Sequence, residues 1–471
     1  MGIRGSRGQW TFDTDVVVVG SGGCGLSAAM AAAQSGAEVV VFEKQQRPWS
    51  NTARSGGMIP AAAARFQREA GIEETPADFA RDILHKNGHT SDPEMTHHLA
   101  QVAPHMVHWL ADEVGVDLIF IDDFKYPGHS EYRMVAPPSR TGAALVRDLR
   151  RAVHAHARAE LITDAVVTDL VVENKGAGGE AVVGVVVQHG AREEWVRCSK
   201  VILACNGFAG NADMVAQYCP AMSDALYFGG EGNTGEGILW GMALGAEVAF
   251  MDAYQAHASV AMPHAILITY ALIMEGGFQV NQEGYRFGDE TSGYSEHALA
   301  VLAQPGGVAW DIYDERLHRL GLQFEEYREA LEAGAIQRAE SIEQLAGLLG
   351  LPPQSLAQTL QTYEACATGH QADPFGRQDC RHLQAPFYGV RVTGALFHTQ
   401  GGLRVDLNGR VLRHDGRPVP NLYAGGGVAA GVSGHGPGGY LSGNGLLTAL
   451  GYGMLAGRHA ARTLQEAKRD R

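Results

Sequence analysis

The segment Val16-Val17-Val18-Val19-Gly20-Ser21-Gly22-Gly23-Cys24-Gly25 restricts this chain more than any other. Four consecutive β-branched residues predict a strand of a parallel sheet, buried on both faces. The alanine-rich stretch Leu26 to Gln34 reads as a helix opening directly on the glycine turn, and a second apolar run, Glu38 to Phe42, ends at Glu43. This is the βαβ unit of a dinucleotide-binding fold. Gly20 permits the tight turn, Gly22 lets a pyrophosphate approach the backbone, and Gly25 lets helix and strand pack closely, while the helix N-terminus presents the positive end of its dipole. Glu43 stands 23 residues after Gly20, where an acid accepts the ribose hydroxyls of an adenosine and disfavours a 2′-phosphate.

Glycine is abundant beyond this turn, with 61 in 471 residues, about twice the usual share. No Gly-X-Y period accompanies the excess and 45% of residues are hydrophobic, so the chain is globular rather than collagenous or disordered. Its length predicts two or three domains. The net charge of −15, without any Lys/Arg-rich run, argues against nucleic acid as a partner and towards a small molecule. Six scattered cysteines show no metal-ligand spacing, which predicts no metal site and a reducing compartment. The polar leader Met1 to Asp15 reads as a disordered tail. No apolar stretch of spanning length follows, so a cytoplasmic protein without membrane insertion is expected.

Further along, Leu161 to Val172 and Ala181 to Gln188 read as an edge-like antiparallel pair around the turn Asn174 to Gly179. Lys200 to Phe208 reads as a buried strand ending in a turn. From about Phe250 to Cys380 glycine thins out, and helical periodicity appears at Phe324 to Leu331, Ile342 to Leu349 and Gln354 to Ala367. After Pro386 the glycine-rich pattern returns. The dinucleotide-binding domain is therefore expected in two parts, 1–249 and 381–471, with a second domain, 250–380, inserted between them.

Several segments, in this order, resemble the succinate dehydrogenase/fumarate reductase flavoprotein family. They are Val17 to Gly25 with Glu43, Ser55-Gly56-Gly57, Val201 to Phe208, Thr234 to Gly237, Asn281 to Glu290, His398 to Gly402, Leu422 to Gly426, and Gly443-Asn444 with Leu446. The resemblance implies an α/β fold: a Rossmann-like FAD-binding domain of the glutathione-reductase type carrying an inserted α+β capping domain, with the substrate between them. It implies that FAD is held by Gly20, Gly22, Gly23, Gly25, Glu43, Lys44, Thr52, Ser55, Gly56, Gly57, Ala204, Asn206, Gly207, Gly426, Gly443, Asn444 and Leu446. Members that link FAD covalently use a histidine where this chain has Ser50, so noncovalent FAD is expected. A glutamate common in the family after the Tyr-Ala-x-Gly strand is here Gly427. A second dinucleotide fingerprint is lacking, which points to an external electron acceptor such as oxygen, a quinone or an electron-transfer protein.

Fumarate reductases hold a dicarboxylate with two histidines and two arginines. The histidine motifs match His257 and His398, but the arginine positions are Tyr294 and Tyr440. A dicarboxylate would leave its charges buried and unpaired in such a site, at a cost of several kcal/mol. The run Gly439 to Asn444 is similar to the Tyr-x-Ser motif of 3-ketosteroid Δ4-dehydrogenases, which implies α,β-desaturation of a neutral cyclic ketone, either a cyclohexanone type or a 3-ketosteroid. On this reading Tyr440, hydrogen-bonded to Ser442 and assisted by the Gly443 and Asn444 amides, binds the ketone oxygen, Tyr294 removes the α-proton, and His398 stands at the substrate or flavin edge. The two tyrosine roles are interchangeable at this level. Trp109, Tyr126 and Tyr132 are candidates for the substrate entrance, and an enone or enoate reductase remains the alternative.

Overall fold

Val16 to Val19 are fully or almost fully buried because their strand, Phe12–Val19, runs between two parallel neighbours. In this computed structural model, which describes residues 2–6, 8–47, 49–174 and 179–469, a nine-stranded sheet forms around it. The main order is Gly2–Gly5, Ala165–Asn174, Glu180–His189, Arg192–Leu203, Phe12–Val19, Val39–Phe42 and Ala159–Ile162, and Pro418–Ala424 joins beside Arg192–Leu203. Strands from the first and last thirds of the chain thus share one sheet.

The helix Gly23–Gln34 packs against the long C-terminal helix Asn444–Arg469. Small residues allow the approach: a Cβ on Gly453 would lie 2.4 Å from the Cys24 carbonyl oxygen, and one on Gly457 would lie 2.3 Å from that of Ala28. The pairs Cys24/Gly453 and Ala28/Gly457 advance together, so the two helices run parallel, the C-terminal one having begun at Asn444, before it reaches the glycine turn.

A second, seven-stranded sheet is built on Phe387–Thr399, flanked by Tyr254–Ala261 and Val308–Asp314. The short strands Leu226–Tyr227 and Ile336–Ala339 also pair with Phe387–Thr399. Glu325–Glu332, Ile342–Leu349 and Pro353–Ala367 are helices, at the positions the periodicity marks.

Three expectations are corrected. The leader is not a free tail: Gly2–Gly5 pairs in parallel with Asp169–Val172, and Phe12 to Asp15 open the next strand. The antiparallel pair Ala165–Asn174 and Glu180–His189 lies inside the sheet rather than at its edge, because the leader covers one side and Arg192–Leu203 the other. Its turn falls partly at 175–178, outside the described residues, and Leu161 belongs to a separate strand, Ala159–Ile162. Finally, the glycine-rich strand after Pro386 is the centre of the second sheet, not part of the first.

Candidate active site

One continuous cleft runs from the glycine turn to the second sheet, lined at its near end by Gly20, Ser21, Gly22, Gly23, Glu43 and Lys44. Gly20 has φ +103°, and a Cβ there would stand 2.7 Å from the Ala204 oxygen, while one on Gly25 would stand 1.9 Å from the Gly20 oxygen. Only glycine fits either position. Glu43 is buried and accepts from the Ser21 N–H at 2.9 Å and the Ser21 hydroxyl at 2.8 Å, which holds the carboxylate at the strand end. Thr52 Oγ1 accepts from the Gly23 N–H at 3.1 Å, and Lys44 pairs with Glu236 at 3.1 Å.

Of the other expected cofactor residues, Thr52, Ser55, Gly56, Ala204, Asn206, Gly426, Gly443 and Leu446 line the cleft. Gly25, Gly57, Gly207 and Asn444 do not; they shape the backbone behind it. A Cβ on Gly57 would meet the Thr141 oxygen at 3.0 Å, and one on Gly207 would meet Thr399 Oγ1 at 2.1 Å. The Asn444 N–H donates to the Leu441 oxygen at 3.0 Å, so it is spent on the helix start and not free for a substrate. Two buried polar atoms of lining residues, Arg54 Nε and Glu236 Oε2, have no hydrogen-bond partner among the described residues. An extended, polar and anionic cofactor fits this glycine cradle, its helix N-terminus and these unspent groups.

The far end of the cleft is aromatic. Tyr294 begins the helix Tyr294–Leu302 of the second unit, while Tyr440 and Ser442 precede the C-terminal helix. Tyr294 and Tyr440 are buried, with ring centroids 6.2 Å apart. The Tyr294 hydroxyl donates to Ser442 Oγ at 3.0 Å, so the serine partners Tyr294 rather than Tyr440 as the sequence suggested. Burial pushes the Tyr440 hydroxyl up to about 12, and the N–H groups of Gly445 and Gly443 together with Tyr294 hold it from rising further. Burial drives Tyr294 well above the ordinary tyrosine value, with the nearby Tyr440 adding to the rise. Tyr440 is thus the easier of the two to ionise, because its oxygen faces backbone donors at a helix start.

His257 and His398 both line the cleft as neutral rings, lowered by burial to about 3 and about 4. Gln400 Nε2 donates to His398 Nδ1 at 2.9 Å, which leaves the hydrogen of that ring on Nε2, beside Tyr440. The Ser259 N–H donates to His257 Nδ1 at 3.1 Å, and the His257 ring stacks on Tyr294 at 4.9 Å.

A model of the FAD-binding domain matches residues 15–446. The chain belongs to this FAD-binding family. FAD is its cofactor. An NADH:fumarate oxidoreductase of Klebsiella pneumoniae (strain 342) is 30% identical over 456 residues, covering 95% of this chain and 48% of that protein. The chain therefore spans about half the length of that relative. Among solved structures, the open conformation of a flavocytochrome c3 fumarate reductase superposes with a TM-score of 0.80 at 28% identity, covering 97% of this chain and 79% of that one. The 3-ketosteroid-Δ4-(5α)-dehydrogenase of Rhodococcus jostii RHA1, in complex with 4-androstene-3,17-dione, gives 0.75 at 26% identity, covering 98% and 100%.

Two departures of this flavoprotein from its family's pattern have structural counterparts. A Cβ on Gly427 would lie 2.1 Å from Asn206 Oδ1, so the Asn206 amide occupies the space a larger residue would take. Ser50 is used as a helix cap, accepting from the Ala53 N–H at 3.2 Å.

Trp109 is a correction. It is buried away from the cleft, where its indole N–H donates to Gln34 at 2.8 Å and Arg458 lies over its ring at 5.6 Å, because its helix packs on the two central helices. Tyr126 does line the cleft, edge-on to Tyr294 at 6.2 Å, whereas Tyr132 does not. Sequence reasoning missed Tyr270 and Glu326, both of which line the cleft. It also missed His129. Arg133, which can only donate, bonds His129 Nδ1 at 2.8 Å, so the His129 hydrogen sits on Nε2 and is donated to the Ser442 oxygen at 3.0 Å. Arg133 is itself anchored by Glu74 and Asp82. The sequence Tyr-Pro-Gly-His-Ser-Glu-Tyr-Arg carries the polar spacing, but nothing local shows that it faces Ser442.

Proposed function

We propose that this chain is an FAD-dependent oxidoreductase that introduces a double bond next to the ketone of a neutral cyclic substrate. The observation that carries the reading is the Tyr294–Tyr440–Ser442 cluster at the aromatic end of the cleft, where a dicarboxylate-binding site would need cations. The cations lining the cleft are Lys44, paired with Glu236, and Arg54, which lies over the Phe228 ring at 5.8 Å. Phe228 is separated from Tyr294 by the stacked rings of Phe397 and His257. A ketone suits such a site because its oxygen needs donors rather than counter-charges.

Of the two possible assignments, the electrostatics favour Tyr440 as the base. Tyr440, the more readily ionised of the pair, takes the α-proton, while Tyr294, whose hydroxyl donates to Ser442 Oγ, packs beside it. His398, neutral and with its hydrogen on Nε2, supplies a donor for the ketone oxygen as negative charge gathers there. The chemistry FAD supplies when bound is acceptance of the β-hydrogen as hydride. Ser50 offers no imidazole for a covalent link, which supports noncovalent FAD, and the electrons pass on to oxygen, a quinone or an electron-transfer protein. The capping unit of this reading is the one built on the seven-stranded sheet, between Leu226 and Thr399.

The fumarate reductases among its relatives favour a second reading, reduction of an activated double bond by the same groups in reverse, with Tyr440 as the acid. Anaerobic mixing separates the two. Cyclohexanones or 3-oxosteroids that bleach the oxidised flavin support the dehydrogenase, whereas reoxidation of the reduced enzyme by enones, without bleaching by any saturated ketone, supports the reductase.

A further inference from the structure

Among the described residues, the aromatic end of the cleft is lined by one carboxylate, and neither reading uses it. Glu326, in the first turn of the helix Glu325–Glu332, lines the cleft along with Phe324. Its position relative to the reacting end follows from a chain of ring contacts. Tyr440 meets Tyr294 at 6.2 Å, Tyr294 meets Tyr126 at 6.2 Å, Tyr126 meets Phe124 at 4.9 Å, and Phe124 meets Phe324 at 5.6 Å. Tyr126 lies within electrostatic reach of both Glu326 and Tyr440.

Glu326 is half-buried, and among the described residues it has no ion pair and no side-chain hydrogen bond. Burial is the main influence against its ionisation and the exposed Glu329 and Glu325 add like charge, while its own backbone N–H and Arg328 act the other way, leaving it raised on balance. Its own backbone N–H is the hydrogen-bond donor it has, so a donor on a ligand lying in the cleft would complete the carboxylate. Arg65, Arg140 and Arg286, by contrast, all sit in ion pairs.

We propose that Glu326 is a specificity residue for a hydrogen-bond donor, a hydroxyl or an ammonium, carried by the ketone substrate at the end remote from its carbonyl. This rests on the ketone reading of the site. The carbonyl lies at Tyr440 and His398, the ring body crosses Tyr294 and Tyr126, and the distal donor reaches the Glu326 carboxylate. The same carboxylate repels a substrate with an anionic tail, which extends the exclusion of dicarboxylates from the reacting end to the mouth.

The FAD-loaded enzyme tests this with cyclohexanone, 4-hydroxycyclohexanone, 4-aminocyclohexanone and 4-oxocyclohexanecarboxylate, together with 3-oxosteroids with and without a 17-hydroxyl. Apparent Kd is read from the flavin absorbance change and the bleaching rate from anaerobic mixing. Within the responding ketone class, the donor-bearing members are expected to bind at least about tenfold more tightly than the unsubstituted one, and the carboxylate most weakly. Glu326→Gln, whose amide oxygen still accepts, keeps the hydroxyl preference and loses the ammonium preference; Glu326→Leu levels both. Saturated ketones that bleach the flavin with no preference among substituents, or a preference that survives in Glu326→Leu, would overturn the role of Glu326 while leaving the ketone reading intact. No bleaching by any saturated ketone would overturn both.

Discussion

Replacing Tyr294 with phenylalanine separates a supporting group from a base. In the structure the Tyr294 hydroxyl bonds Ser442 Oγ at 3.0 Å and helps restrain the pKa of Tyr440, which burial has pushed to about 12. At pH 7 such a residue is ionised to only about one part in 10⁵, so flavin reduction should speed up roughly tenfold per pH unit as the phenolate accumulates. A hydrogen bond to a charged group contributes about 1.5–3 kcal/mol, and 1.36 kcal/mol corresponds to one pKa unit. Because Tyr294 is the weakest of the groups restraining Tyr440, behind the Gly445 and Gly443 amides, Tyr294→Phe should raise the Tyr440 pKa by about one unit at most and slow flavin reduction up to about tenfold at pH 7. The slope with pH should persist, displaced towards alkali. Tyr440→Phe removes the base itself, costing about 10²- to 10⁴-fold, and its residual rate should be flat with pH. Stopped-flow bleaching between pH 7 and 10, at saturating ketone and with FAD content checked, reads both. Retention of the full pH slope in Tyr440→Phe, or a flat profile in Tyr294→Phe, would refute the assignment and return the base to Tyr294.

Gly25→Ala should abolish FAD retention, because its Cβ would lie 1.9 Å from the Gly20 oxygen and force the turn apart; copurified flavin per chain is the measure. His129→Gln, whose amide can still donate to the Ser442 carbonyl, should keep turnover within a few-fold. His129→Leu strands that carbonyl at about 1–3 kcal/mol and should cut kcat while FAD stays bound. His257 has a folded pKa of about 3 against an ordinary 6.5, so the folded state holds it neutral while the unfolded chain takes up a proton below 6.5. Its contribution to stability is present above pH 6.5 and is lost as pH falls towards 3. His257→Phe, which preserves the stacking, should lose less stability on acidification than wild type, by up to about 1.4 kcal/mol per pH unit between 6 and 4. Equal pH dependence of the two melting curves would count against a buried neutral His257.

The parts of the cofactor site that could be read from sequence are those made by neighbours in the chain. Gly20 to Gly25 form a turn whose requirements are local, and Glu43 follows at the distance set by one helix and one strand. Tyr294 and Tyr440 were singled out by their flanking motifs for a similar reason, and the fold brings both to the aromatic end of the cleft. Trp109 was misassigned because an aromatic residue on an apolar helix face looks the same whether it faces a ligand or two other helices. The boundary of the second unit was misplaced because Phe387–Thr399 has the glycine and β-branched content of either sheet, and only pairing decides which it joins.

The βαβ cradle and the FAD family could be read from the chain alone, and Tyr294 and Tyr440 could be singled out there, since these depend on residue type at short spacing. Tertiary structure alone decided that Ser442 partners Tyr294, that the amides of Gly443 and Gly445 face Tyr440, that His129 braces the turn between them, and that Glu326 stands at the far end of the aromatic wall. Those relations join residues up to 313 positions apart. They set which hydroxyl ionises first, because a pKa is fixed by what surrounds a group in space and not by what precedes it in the chain.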